Sequence, residues 1–166
     1  MSDKPIKYDL DGEKVVSTAL KQLLNSYPAL SPADKISFSS LAGTTGIAFY
    51  PTSGSAVRSE VTDVTGHTTQ ICTYPFIVIN RGSGLNESRR QKVEEWLNAL
   101  GRWLEKQTIT VNGIDYKLME YPSLSNNREI KEIARQTSAY IYATSEDKTE
   151  EWAINLQLTY RNEYDK

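Results

Sequence analysis

The sequence predicts an α+β fold: a mixed, mainly antiparallel sheet with two amphipathic helices packed on one face. Three observations predict it. Apolar residues recur at helical spacing in two stretches, from Val15 to Leu24 and from Val93 to Leu104. The segment between them and the C-terminal third carry β-branched and aromatic runs, broken by glycine, proline and polar turns. No internal repeat and no linker divides the 166 residues, so 1–166 reads as one domain with an ordered core over about 10–162. A chain of this length can bury a core without disulfides or metals.

The first helix is expected after Asp11, read as its N-cap. Val15, Val16, Ala19, Leu20, Leu23 and Leu24 form its apolar stripe. Tyr27-Pro28 ends it, because a residue before proline avoids the α region. Ile36, Phe38 and Ser40 alternate as a short strand does. Gly46-Ile-Ala-Phe-Tyr-Pro51 is a second strand, stopped by its proline and by a polar loop, Thr52 to Ala56. From Val57 to Val64 the pattern puts Val57, Ser59, Val61 and Asp63 on one face. Thr65-Gly66 then turns the chain into a long strand, His67 to Asn80. Its end, Tyr74-Pro-Phe-Ile-Val-Ile79, is almost continuously apolar, which predicts burial on both faces. Pro75 has no N–H, so the strand lies at a local edge there or bulges.

The second helix is the clearest element. Asn86 caps it, Glu87 suits the positive end of its dipole, and it runs to about Gln107. Val93, Trp96, Leu97, Leu100, Trp103 and Leu104 share a stripe, and Gly101 within it allows a close approach. Asn112-Gly113 is a strong hairpin signal between Thr108–Val111 and Ile114–Tyr121. One strand is expected from about Glu129 to Ala143, then a polar turn, Ser145 to Lys148. The last strand alternates from Glu151 to Tyr160, with Trp152, Ile154, Leu156, Leu158 and Tyr160 facing one way.

Composition and spacing restrict the chemistry. Apolar residues make up 39% and charged residues 24%, near globular norms. No apolar run is long enough to cross a membrane, and the start, Met1-Ser-Asp-Lys-Pro5, has no secretory signal character. A net charge of −2 does not suit a dedicated nucleic-acid binder. One cysteine and one histidine form neither an internal disulfide nor a structural zinc site. His67 and Cys72, five apart in one strand, point to opposite faces and make no dyad. Gly82-Ser83-Gly84 sits where a dinucleotide loop would, but Glu87 stands in place of the third glycine. Asp9-Leu-Asp11-Gly-Glu13 departs from a calcium loop, with its glycine two residues early. Ser145-x-x-Lys148 lacks the companion motifs of penicillin-binding enzymes. The acidic pairs Asp9/Asp11, Glu94/Glu95, Glu146/Asp147 and Glu150/Glu151 read as solvated faces. The expectation is therefore no catalytic centre, no metal and no cofactor. Ten Tyr and three Trp against three Phe suit half-buried sheets and subunit interfaces.

Four stretches carry a resemblance: Ile47-Ala-Phe-Tyr-Pro51, Cys72-Thr-Tyr-Pro-Phe-Ile-Val-Ile79, Glu87 to Leu104, and Tyr140 to Ile154. In phrase and in order they resemble the minor capsid proteins of phages, which are in turn similar to the tail terminators of long-tailed phages. The likeness covers about residues 10 to 162. It implies a virion structural protein, made in the host cytoplasm and then carried in the particle. Its copies close into a ring, generally a hexamer, at the head–tail joint, where the ring ends tail-tube growth. The implied partners are further copies of itself, the tail-tube protein and the head connector, with passing contact with packaged DNA and no membrane. The candidate ring contacts are Tyr50 and Val57, read as exposed in the 43–57 segment, and Arg89, Arg90, Glu94 and Arg102 on the charged face of the second helix. A head–tail adaptor or head-completion protein, and a small ligand-binding α+β domain, are the alternatives. The terminal turn, Glu146-Asp-Lys-Thr149, departs from expectation in having no glycine.

Overall fold

The computed structural model describes residues 5–41, 43–125 and 127–165. The chain order is helix α1 (Leu10–Leu24), strands β1 (Ile36–Phe38), β2 (Gly46–Pro51), β3 (Ala56–Thr62) and β4 (His67–Ser83), then helix α2 (Glu87–Leu104). Five strands follow: β5 (Ile109–Val111), β6 (Ile114–Tyr116), β7 (Arg128–Arg135), β8 (Tyr140–Thr144) and β9 (Thr149–Asp165). The axis of the fold is the antiparallel pairing of β4 with β9, unbroken from His67↔Asp165 to Ser83↔Thr149. β2 and β3 share the other edge of β4, while β7 and β8 share the other edge of β9. β1 adds to β2 in parallel. Mixed strands with two helices make this an α+β fold.

Alternation along β4 and β9 sets the layers. Cys72, Tyr74, Phe76 and Val78 share one face with Trp152, Ile154, Leu156, Leu158 and Tyr160. Val16, Leu20, Leu23 and Leu24 of α1 and Leu97, Leu100, Trp103 and Leu104 of α2 pack into that same core. On the opposite face Ile77, Ile79 and Ala153 are buried beneath Leu41, Tyr50 and Tyr140. The Tyr74–Ile79 run is thus buried on both faces, as its continuous hydrophobicity predicts. Pro75 pairs with Gln157, and on its other side it falls between the ranges that β2 and β3 cover. Its missing N–H therefore breaks no ladder.

Several expectations are corrected. α1 begins at Leu10 and is capped by Asp9, whose carboxylate accepts the Gly12 N–H at 3.2 Å; Asp11 lies inside the first turn. α2 ends at Leu104 rather than Gln107, because Lys106 takes a left-handed φ of 63°. The Asn112-Gly113 turn forms with both residues at positive φ, but β6 stops at Tyr116. The single strand expected over 129–143 is two. At the break, the Gln136 N–H donates to the Asn155 carbonyl and the Thr137 hydroxyl accepts the Asn155 N–H, so the chain leaves the ladder and rejoins it at Tyr140. β3 has a register step between Val57 and Ser59, which ends its simple alternation. β9 continues to Asp165. Its glycine-free turn closes because Lys148 itself adopts a φ of 64°, while the Asp147 carboxylate accepts the Thr149 N–H.

Candidate interaction surfaces

Three acidic residues read as solvated, Asp9, Glu150 and Glu151, are in fact built into the protein, while Asp11 is exposed. Asp9 is 8% exposed and Arg128 11%. Arg128 donates through Nη2 to Asp9 Oδ1 at 2.8 Å and through Nε to Oδ2 at 3.0 Å. The fully buried Tyr160 donates its hydroxyl to Asp9 Oδ2 at 2.7 Å. Burial alone would raise the Asp9 pKa; the bonds from Arg128 and Tyr160 outweigh it and hold the carboxyl below its ordinary range. This constellation fastens the start of α1 to β7 and β9. Glu150 is likewise buried, with both oxygens on Arg90 Nε, and Glu151 pairs with Arg81.

His67 and Cys72 are apart, as their spacing predicts. The His67 ring meets Asp165 at 2.9 Å and Glu163 at 4.0 Å, and the Asp165 bond raises its pKa. Burial pushes the Cys72 thiol up to about 11, which suits an inert core residue. Gly82-Ser83-Gly84 is the end of β4 and a turn, with Gly84 at a φ of 61°. Among the described residues no three His, Cys, Asp or Glu side chains are grouped as metal ligands. No helix there is long and apolar enough to cross a membrane.

The six candidate contact residues fall into three places. Arg89, Arg90, Glu94 and Arg102 all lie on α2 with exposed side chains, but Arg90 is held by Glu150. Tyr50 and Val57 are half-buried rather than exposed, and they lie on opposite faces of the sheet. Tyr50 packs over the Ile77–Ile79 cluster, and Val57 packs against the main core. Strand alternation separates them: Tyr50 pairs with Ile77 and Val57 with Cys72, whose side chains lie on opposite faces.

Exposed apolar side chains mark surfaces outside that set. Ile6, Tyr8 and Leu10 stand out from the N-terminal segment, where Lys7 and Asp9 exchange backbone hydrogen bonds with Val57 and Ser55. Val61 is 68% exposed on the neighbouring β3. Across the sheet, Ile141 and Tyr142 of β8 are 48% and 52% exposed. Ile141 lines a cleft of about 560 Å³ with Leu85, Arg90 and Lys148. A second cleft, of about 450 Å³, lies between Phe38, Pro51 and Tyr74 and the polar side of α1. Alternating β-formers in YIYAT and AVRSEVT were the available signal for these strands; exposure depended on what covers them. No protein-family model matches the chain, and no curated protein matches it.

Proposed function

We propose that this chain is a virion structural protein, a tail-terminator or minor capsid subunit. Copies meet head to tail in a ring, a hexamer, at the head–tail joint and end growth of the tail tube. The observation that carries the reading is a pair of unlike exposed surfaces on opposite sides of one sheet. One side offers Ile6, Tyr8, Leu10 and Val61, and the other offers Ile141 and Tyr142. A ring closed by heterologous contacts requires two different patches on every subunit. The exposed charges of α2 that pair with no described residue, Arg89, Glu94 and Arg102, lie on the helical layer and suit a docking surface for the tube or the connector. The resemblance over about residues 10–162 supplies the biological setting.

Polymerisation of the tail-tube protein encoded in the same genome, with and without this protein, tests the proposal. The expected result is tubes of restricted length when the protein is added during growth. Unchanged tube lengths together with binding to empty heads would replace the reading with head completion.

A further inference from the structure

We propose that copies of this chain join by antiparallel pairing of the β3 edge of one copy with the β8 edge of the next, a contact that rests on the ring-forming reading above for its biological setting. The inference starts from which backbone edges are covered. Edge strands left open are templates for further strands, and folded proteins cap them. Asn25 caps β1: its side chain accepts the Ile36 N–H at 2.8 Å and donates to the Ile36 carbonyl at 3.0 Å. β7 is capped twice, by the Tyr121 hydroxyl accepting from Ile133 N and by Glu105 accepting from Arg135 N. The start of β3 is covered by residues 7–9 through Asp9 N to Ser55 O and Val57 N to Lys7 O. Among the described residues of the seven-stranded sheet, that leaves two five-residue edge stretches without a cap, Arg58–Thr62 of β3 and Tyr140–Thr144 of β8; the short β5–β6 hairpin is a separate sheet.

These two edges fit each other. Each offers five residues, and β8 carries no charge and no proline; the unpaired Tyr142 in its ladder is its one irregularity. β3 is antiparallel to β4, β4 to β9, and β9 to β8. A second copy placed in the same orientation brings its β3 antiparallel to β8, so the alternation continues across the junction. Pairing β3 with β3 or β8 with β8 would leave the other edge open on both copies. A heterologous contact uses both. The edges lie at opposite ends of the β4–β9 ribbon: β3 is level with β4 residues 68–73, and β8 with residues 79–82. Neighbouring copies are therefore stepped by roughly ten residues, on the order of 35 Å. A closed ring then has its strands strongly inclined to the ring axis.

Cysteine cross-linking tests the contact. Cys72 is buried and stays silent. Copies carrying Ser59→Cys or Val61→Cys are mixed with copies carrying Ala143→Cys and treated with a short bismaleimide; all three positions are exposed. The expected product joins a β3 variant to the β8 variant, and adding Ile141→Lys to the Ala143→Cys copy cuts its yield on the order of tenfold with an unchanged circular dichroism spectrum. Cross-links only between identical variants, or none at any concentration, would overturn the pairing. Rings seen by native mass spectrometry without the β3–β8 cross-link would overturn the pairing and leave the ring reading standing. Cross-linked oligomers that do not restrict tube length would uphold the pairing and remove the tail role.

Discussion

Replacing Asp9 by alanine removes the acceptor at the centre of a largely enclosed ion pair. The carboxylate accepts two hydrogen bonds from Arg128, one from Tyr160 and one from the Gly12 N–H. After the substitution the Arg128 guanidinium, 11% exposed, has lost its partner, and a fully buried tyrosine hydroxyl has lost its acceptor. Breaking a buried ion pair from one side costs about 3–5 kcal/mol, a large share of the roughly 5–15 kcal/mol that holds a domain folded. Urea unfolding followed by tryptophan fluorescence reads the loss. The double variant Asp9→Leu/Arg128→Met, which leaves no orphaned charge, should recover most of it. The ordinary protein should show the matching pH dependence. A carboxyl held below its unfolded pKa adds stability that is present above about pH 4 and is lost as the pH falls through the folded value. A loss below about 1 kcal/mol for Asp9→Ala would refute the buried-pair reasoning, because an exposed pair costs no more than that.

Four further outcomes follow from particular contacts. Gly101→Ala should destabilise by about 1–3 kcal/mol through overpacking, despite alanine's better helix propensity, because its Cβ would meet the Arg135 side chain at 2.6 Å and Ile154 at 3.0 Å; a gain in melting temperature would show that α2 does not approach β7 and β9 this closely. Trp96→Ala should cost about 2–4 kcal/mol, less than a fully enclosed tryptophan, since Trp96 is half-buried and also donates to the Ala29 carbonyl at 3.0 Å; denaturant melts check it. Asp165→Asn should lower the His67 pKa in a proton NMR titration, because the Asp165 bond is the main cause of its elevation. That bond favours the folded state at low pH and fades as the pH rises through the folded pKa. Cys72 should resist thiol reagents in the native state and react on unfolding, since it is buried with its pKa raised to about 11; rapid native labelling would contradict its place in the core.

How much of this was legible in the sequence depended on how local the determining physics is. The α2 stripe, the Asn86 cap, the Gly46–Pro51 strand and the alternation of Trp152 to Tyr160 are properties of short segments, and their periods announce them. Asp9 was misread because the residues that bury it, Arg128 and Tyr160, lie 119 and 151 positions away. Glu150 was misread because its partner, Arg90, lies on the other side of a helix-to-sheet contact. The break between β7 and β8 is made by bonds from Gln136 and Thr137 to the backbone of Asn155 on the partner strand, a pairing that the period of 129–143 does not announce. The candidate surface was harder still. Val61 and Ile141 look like ordinary strand residues until the caps on neighbouring edges show which backbone is left open.

Electron microscopy of the protein mixed with tail tubes tests the central claim most directly. The account predicts density at one end of each tube, with rotational symmetry matching the tube and formed by copies joined edge to edge. Decoration along the tube wall, or bare tube ends with the protein bound to empty heads, would contradict it.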